Sequence, residues 1–309
     1  LIYTLIIIGF LILLAGGKAL VDGASAIAAK LGMSPGLIGM TIVAFGTSAP
    51  ELLVSVTAAL KGTSDIAVGN VVGSNLSNIS LVLGISALIY PIRLNFQILK
   101  FDYSFTLFAT ILFYLLALNN WISLWDGIIL FAILIIINWF YFKKSNQIPE
   151  EFSTEEADKA KSEPLVKSIG YILVGILGLY FGAELLVNNA VTLAQEYGIS
   201  ERIIGVTIIA VGTSLPELAT SVIAARKKET DIALGNILGS NMQNILSIIG
   251  VTAIIKPIEV SDLFLSTDFL WMIGFTVLLF PIMRTGYKIS RFEGGVLLAV
   301  YGLYLIFLL

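Results

Sequence analysis

An all-α polytopic membrane protein, built as two inverted five-helix repeats with broken helices at the membrane midplane, is the fold class that three observations predict. The chain of 309 residues is 57% hydrophobic and only 13% charged, with a mean hydropathy of +0.95. Its apolar runs are long enough for ten transmembrane helices. Residues 39 to 79 also recur, at a constant offset of 166, as residues 205 to 245, with 25 of 41 positions identical.

A composition this apolar excludes a water-soluble core, because a span needs about 20 apolar residues to cross about 30 Å of hydrocarbon. The runs place spans at roughly 1 to 29, 36 to 60, 66 to 90, 99 to 118, 122 to 142, 166 to 195, 202 to 226, 231 to 255, 264 to 282 and 290 to 309. The opening LIYTLIIIGFLILLAGG lacks a basic n-region and a small-residue cleavage site and reads as the first span. Three units follow: a first repeat over 1-142, an acidic linker over 143-165 that reads as a solvated connector, and a second repeat over 166-309. A net charge of −3 carries no nucleic-acid signature.

Basic residues set the orientation. With the N-terminus outside, fourteen of the eighteen Lys and Arg fall in inner loops and three, Lys61, Arg202 and Lys256, in outer ones, with Lys18 inside span one. That bias predicts a cell-membrane protein with both termini outside and the linker cytoplasmic. Five spans fit within the offset of 166, an odd number, so the two copies must cross the bilayer in opposite directions.

Cysteine and histidine are both absent. Thiolate and imidazole ligands are therefore excluded, as is a serine–histidine nucleophile; no enzyme activity and no cofactor are expected. What remains is oxygen, which suits hard cations such as calcium, magnesium or sodium.

The oxygens are concentrated in two motifs per repeat. The first is GTSAPE, from Gly46 through Thr47, Ser48, Ala49 and Pro50 to Glu51, repeated as Thr213-Ser214-Leu215-Pro216-Glu217. A proline within a span removes a backbone donor, and the carbonyls expected to lose partners lie around Ala44 and Thr47. An acid at that depth costs about 2.5–3.5 kcal/mol on insertion scales, so it needs a cation or a proton. The bland alternative is a structural buried acid, protonated or bonded to backbone donors near the kink. Two carboxylates would balance one divalent ion: Glu51, Glu217 and the Thr47 and Thr213 carbonyls, with water, suit calcium. The hydroxyls of Ser48, Ser74, Ser214 and Ser240, with the carbonyls of Ala44 and Ala210, suit flanking sodium ions.

The second motif is GNxxGSN, from Gly69 to Asn75 followed by Asn78, repeated from Gly235 to Asn241 followed by Asn244. Glycines four apart make a packing face, the structural explanation, but leave the amides unexplained. Asn70, Ser74 and Asn78 share that face, and its oxygens are expected to meet Glu51. Lys18 and Glu184, equivalent across the offset, read as interfacial snorkelling, Asp65 and Asp231 as helix caps or dipole partners, and Trp121, Trp125, Tyr141 and Trp271 as an aromatic belt.

Paired GTSxPE and GNxxGSN motifs in two inverted halves resemble the cation/calcium exchanger superfamily, most closely its prokaryotic sodium/calcium branch. The resemblance covers essentially the whole chain, with its specific signal at 39 to 79 and 205 to 245. It implies calcium held by Glu51, Glu217 and the Thr47 and Thr213 carbonyls, and sodium held around Ser48, Ser74, Ser214, Ser240, Ala44 and Ala210, with spans one and six sliding over the other eight. One departure concerns the middle of the site: many sodium/calcium exchangers carry Asn and then Asp after GSN, whereas this chain has Asn78 and Asn244. That departs from potassium-dependent members, and Gly73 and Gly239, where proton-coupled relatives carry Glu, favour sodium.

The expected function is electrogenic antiport of intracellular calcium against extracellular sodium by alternating access, in a lipid bilayer, for which a monomer suffices. Calcium/proton exchange, a cation channel with a glutamate ring, and a membrane scaffold are the rivals.

Overall fold

The computed structural model describes residues 2–31, 33–94, 96–145, 164–197 and 210–308. Within them the chain is helical. Long α1 (Ile2–Leu31) is followed by α2 (Pro35–Thr47) and α3 (Ala49–Leu60), one span bent by 45° at Ser48. Then come α4 (Ser64–Ile89), α5 (Ile98–Ala117) and α6 (Leu124–Ser145). The second half supplies α7 (Leu165–Glu196), the short α8 (Ala210–Thr213), α9 (Leu215–Arg226), α10 (Thr230–Ile255), α11 (Phe264–Arg284) and α12 (Arg291–Leu308). Seven described helices are long and apolar enough to cross a membrane, eight with the bent pair, so this is a multi-pass membrane fold. The start of expected span seven and most of the acidic linker lie outside the described residues.

Two-residue ribbons, too short for any periodicity to reveal, join the ends of the helices. Strand β1 (Ile92–Arg93) pairs with β4 (Lys288–Ile289), and β2 (Trp121–Ile122) with β3 (Ile258–Glu259), both antiparallel. Ile92 and Ile258 are equivalent across the offset of 166, yet each pairs into the other half of the chain.

Packing separates a two-helix layer from a core. Helices α1 and α7 run antiparallel, from the Tyr3–Tyr197 hydroxyl contact at 3.1 Å to Gly23 beside Ser168. Their backbones touch because glycine allows it: a Cβ at Gly182 would lie 2.6 Å from the Leu13 nitrogen. Their apolar cluster, with Leu20, Ile27, Ile172 and Leu179, also takes Ile38, Val43 and Ala219 from the broken helices. The main core lies behind, built from α4, α5, α6, α10, α11 and α12.

Glycine also sets the approach of α10 to the first broken helix. A Cβ at Gly235 would lie 2.5 Å from the Gly36 carbonyl oxygen, and one at Gly239 2.6 Å from Met40 Cα. Within each repeat an asparagine ties the helix after the break to its successor. Asn70 Nδ2 donates to the Glu51 carbonyl at 3.0 Å and to Ser55 Oγ at 2.9 Å; Asn236 Nδ2 does the same to Glu217 at 3.4 Å and Ser221 at 2.9 Å.

One expectation is corrected: Tyr141 is buried rather than exposed in an aromatic belt, its hydroxyl donating to Asp102 Oδ1 at 2.8 Å. Of the cap and dipole roles expected of Asp65 and Asp231, the structure supports the second: Thr63 and Glu229 hold the cap positions, and the aspartates sit in the first turns of α4 and α10, where the helix dipole favours an acid.

Replacing Gly239 by Val forces side-chain atoms into the Met40 backbone and is expected to cost at least about 1–3 kcal/mol in equilibrium unfolding in mixed micelles. Asn236→Ala is expected to cost about 1–3 kcal/mol in the same measurement, more than Asn70→Ala, because Asn236 leaves its partners unpaired in a fully buried place.

Candidate functional site: two acids at two helix breaks

Each break begins a new helix with a proline in its first turn, where the missing N–H is not needed. Glu51 and Glu217 fall in the same first turns, at the positive ends of α3 and α9. Both are fully buried. A carboxylate withdrawn from water without partners is costly, and at a helix N-terminus only part of that cost is offset.

The breaks differ in backbone detail. The Ser48 N–H still reaches the Ala44 carbonyl at 3.0 Å, whereas the Ser214 N–H goes to Val211 at 3.1 Å. The Ala44 carbonyl, expected to be freed, therefore keeps its donor and also accepts from Thr47 Oγ1 at 3.3 Å. The reason is the position of the bend: it falls at Ser48, after the last α-helical bond has closed, so the donor that Pro50 removes is the one owed to Gly46. Ala210 opens α8.

Around the acids the two repeats interleave. Ser48 Oγ, from the first repeat, donates to Glu217 Oε1 at 3.1 Å, and Ser240 Oγ donates to the same oxygen at 3.3 Å. Thr47 Oγ1 lies 3.2 Å from Asn236 Oδ1 and 3.4 Å from Ser240 Oγ. The equivalent crossing, Ser74 Oγ to Thr213 Oγ1, measures 3.5 Å. Thr47, Ser48, Glu217 and Ser240 thus form one connected cluster, with Ser74 and Thr213 a second contact of the same kind.

The unpaired atoms define what the cluster can do. Both carboxylate oxygens of Glu51 and Oε2 of Glu217 have no hydrogen-bond partner, nor does Ser214 Oγ. The asparagine face does meet Glu51, but at its main chain and through nitrogen rather than the expected oxygen: Asn70 Nδ2 donates to the Glu51 carbonyl, while Ser74 faces Thr213. No third carboxylate joins the pair in a metal-sized group among the described residues.

Asn78 and Asn244 are buried and each opens a wide, π-type helical turn, a distortion that recurs at functional sites. They are not equivalent. Asn244 Nδ2 donates to Asn75 Oδ1 at 3.0 Å, leaving its own Oδ1 unpaired, while neither side-chain atom of Asn78 has a partner. Asn244 is thereby held with its acceptor free, an orientation that spacing alone does not reveal. Asn236, which links Thr47, Glu217 and Ser221, is the positioning residue that the motif contained but its pattern did not single out.

A cavity of about 540 Å³ reaches this region, lined by Pro50, Thr213 and Pro216 on one side and by Glu184, Asn188 and Thr192 of α7 on the other. Those three α7 residues, four apart, make a polar stripe toward the helix end. Glu184, read from sequence as snorkelling, belongs to this wall.

A family model described as sodium/calcium exchanger protein matches residues 1–143 and 167–309. The sodium/calcium exchanger MaX1 of Methanosarcina acetivorans is 32% identical over 99% of this chain and 98% of its own length. The Ca(2+)/H(+) antiporter ChaA of Bacillus subtilis is 27% identical over 86% of this chain and 81% of its own. Among solved structures, the sodium-calcium exchanger NCX_Mj soaked with Na+ and Sr2+ superposes with a TM-score of 0.85 at 30% identity, covering 99% of this chain and 97% of that one. The chain therefore belongs to the sodium/calcium exchanger family of membrane transporters.

Proposed function

We propose that this protein is an electrogenic antiporter that exchanges intracellular calcium for extracellular sodium by alternating access. The observation that carries this reading is the pair of fully buried glutamates, contributed by the two repeats, with three of their four carboxylate oxygens unpaired. Two such charges match one calcium ion, and the surrounding hydroxyls and amide oxygens are ligands of the right hardness. Glu51, Glu217 and the Thr47 and Thr213 carbonyls hold calcium; Ser48, Ser74, Ser214, Ser240, Ala44, Ala210, Asn78 and Asn244 serve sodium and line the site. If three sodium ions replace one calcium, one net charge crosses per cycle, worth about 2.3 kcal/mol per 100 mV.

The architecture proposed for this is ten spans in two inverted repeats with both termini outside. It is supported by the crossed ribbons, since reciprocal pairing of equivalent segments is what a two-fold relation produces. The cavity along α7 is then the route from the outer side. The relationship to ChaA keeps calcium/proton exchange as the second reading, because buried carboxylates also accept protons.

Reconstituted calcium flux against separately imposed sodium, potassium and proton gradients decides between them. A sodium gradient is expected to drive calcium movement, and a valinomycin-clamped potential to change its rate. Flux that ignores sodium and follows the pH gradient selects proton exchange. Glu51→Gln and Glu217→Gln are each expected to lower calcium transport by at least about 100-fold, the effect of stranding one buried charge. Transport unchanged in either folded variant contradicts the assignment.

A further inference from the structure

The two ends of the α1–α7 layer are built differently. At one end the Asp22 carboxylate of α1 pairs with the Lys227 ammonium, and the Ser25 hydroxyl, three residues along the same face, donates to Glu229 Oε2. Lys227 and Glu229 lie in the turn that joins α9 to α10. Those two helices carry Glu217, Asn236 and Ser240, so the contacts tie α1 to the part of the core that holds the site.

The offset of 166 gives the counterparts at the other end. Asn188 replaces Asp22, Val191 replaces Ser25, Lys61 replaces Lys227 and Thr63 replaces Glu229. An amide cannot form the ion pair. At that same end Asn188 is part of the wall of the 540 Å³ cavity.

We propose that the Asp22–Lys227 and Ser25–Glu229 contacts form a one-sided clasp, which holds the α1–α7 layer closed at its own end and biases the protein toward the conformation with the Asn188 end open. Its consequence for transport rests on the alternating-access reading; its structural effect does not. The pair is partly exposed, with side chains at 30% and 38%, so solvent screens it. An exposed pair of this kind shifts a two-state equilibrium by about two- to fivefold, a bias small enough to be released in each cycle.

The absence of cysteine from the chain makes the test direct. Thr192→Cys places a single thiol on the cavity wall, and its rate of modification by a membrane-impermeant maleimide reports the open population of the full chain in nanodiscs. In that background Asp22→Asn and Lys227→Gln are each expected to slow modification about two- to fivefold. The double variant is expected to be no slower than either single one, and the charge swap Asp22→Lys with Lys227→Asp to restore the rate. Asn188→Asp, which offers Lys61 an acid, is expected to slow modification from the opposite end and needs no change at the clasp. Unchanged rates in the two single variants, with thermal unfolding showing both folded, overturn the proposal, as does a swap that fails to restore the rate while remaining folded. Because labelling requires no transport, failure of the calcium/sodium reading in the flux assay leaves this result independently readable.

Discussion

Two carboxylates that lie deep among apolar helices, with three of their four oxygens unpaired among the described residues, are the constraint around which this molecule is organised. Glu51 and Glu217 gain some relief from the helix N-termini they occupy, and Glu217 Oε1 gains two hydroxyl donors. Neither source is sufficient for a pair of charges in a low-dielectric interior. The residual demand for a cation or a proton is where the proposed function lies. Around it small residues bring the elements together, and polar side chains tie up backbone and one another rather than the free carboxylate oxygens.

Close packing and polarity divide this work between the repeats. Gly235 and Gly239 allow α10 of the second half to lie against α2 of the first, which is how Ser240 comes within reach of both Thr47 and Glu217. Asn236 at the same interface fixes Thr47 from one half while holding the Glu217 carbonyl and Ser221 in the other. A shift of either helix would therefore alter hydroxyl and amide contacts on both sides of the site at once. The repeats are close copies without being identical: the Ser48 hydroxyl reaches Glu217 while the Ser214 hydroxyl has no partner, and Asn244 is oriented by Asn75 while Asn78 is not. Duplicated sequence has given two polar clusters with different local order.

The apolar spans among the described residues, the sequence repeat and the two motifs are legible in the sequence because each leaves a periodic trace. Apolar runs mark helices, and an offset of 166 makes a polar residue in a span stand out twice. Contacts between the copies leave no such trace. That Asn70 would hold a main-chain carbonyl rather than face a carboxylate, or that the bend at Ser48 would leave the Ala44 carbonyl paired, depends on sub-ångström placement of a helix start. The two-residue ribbons are below the length at which alternation can be read, and the burial of Tyr141 follows from Asp102, thirty-nine residues away, offering its hydroxyl an acceptor. The cavity that Glu184 lines is formed by residues from three other helices, which its own apolar neighbours in sequence do not reveal.

The central claim, that the two acids are kept unpaired for a cation, is tested most directly by equilibrium unfolding of the purified protein across a calcium titration. A ligand that binds the folded state stabilises it by about 2.7 kcal/mol at 100 times its Kd. Stabilisation that rises with calcium in the native chain and is lost in Glu51→Gln and in Glu217→Gln is the expected result. Unfolding indifferent to calcium, or stabilisation that persists when both glutamates are replaced, would contradict it.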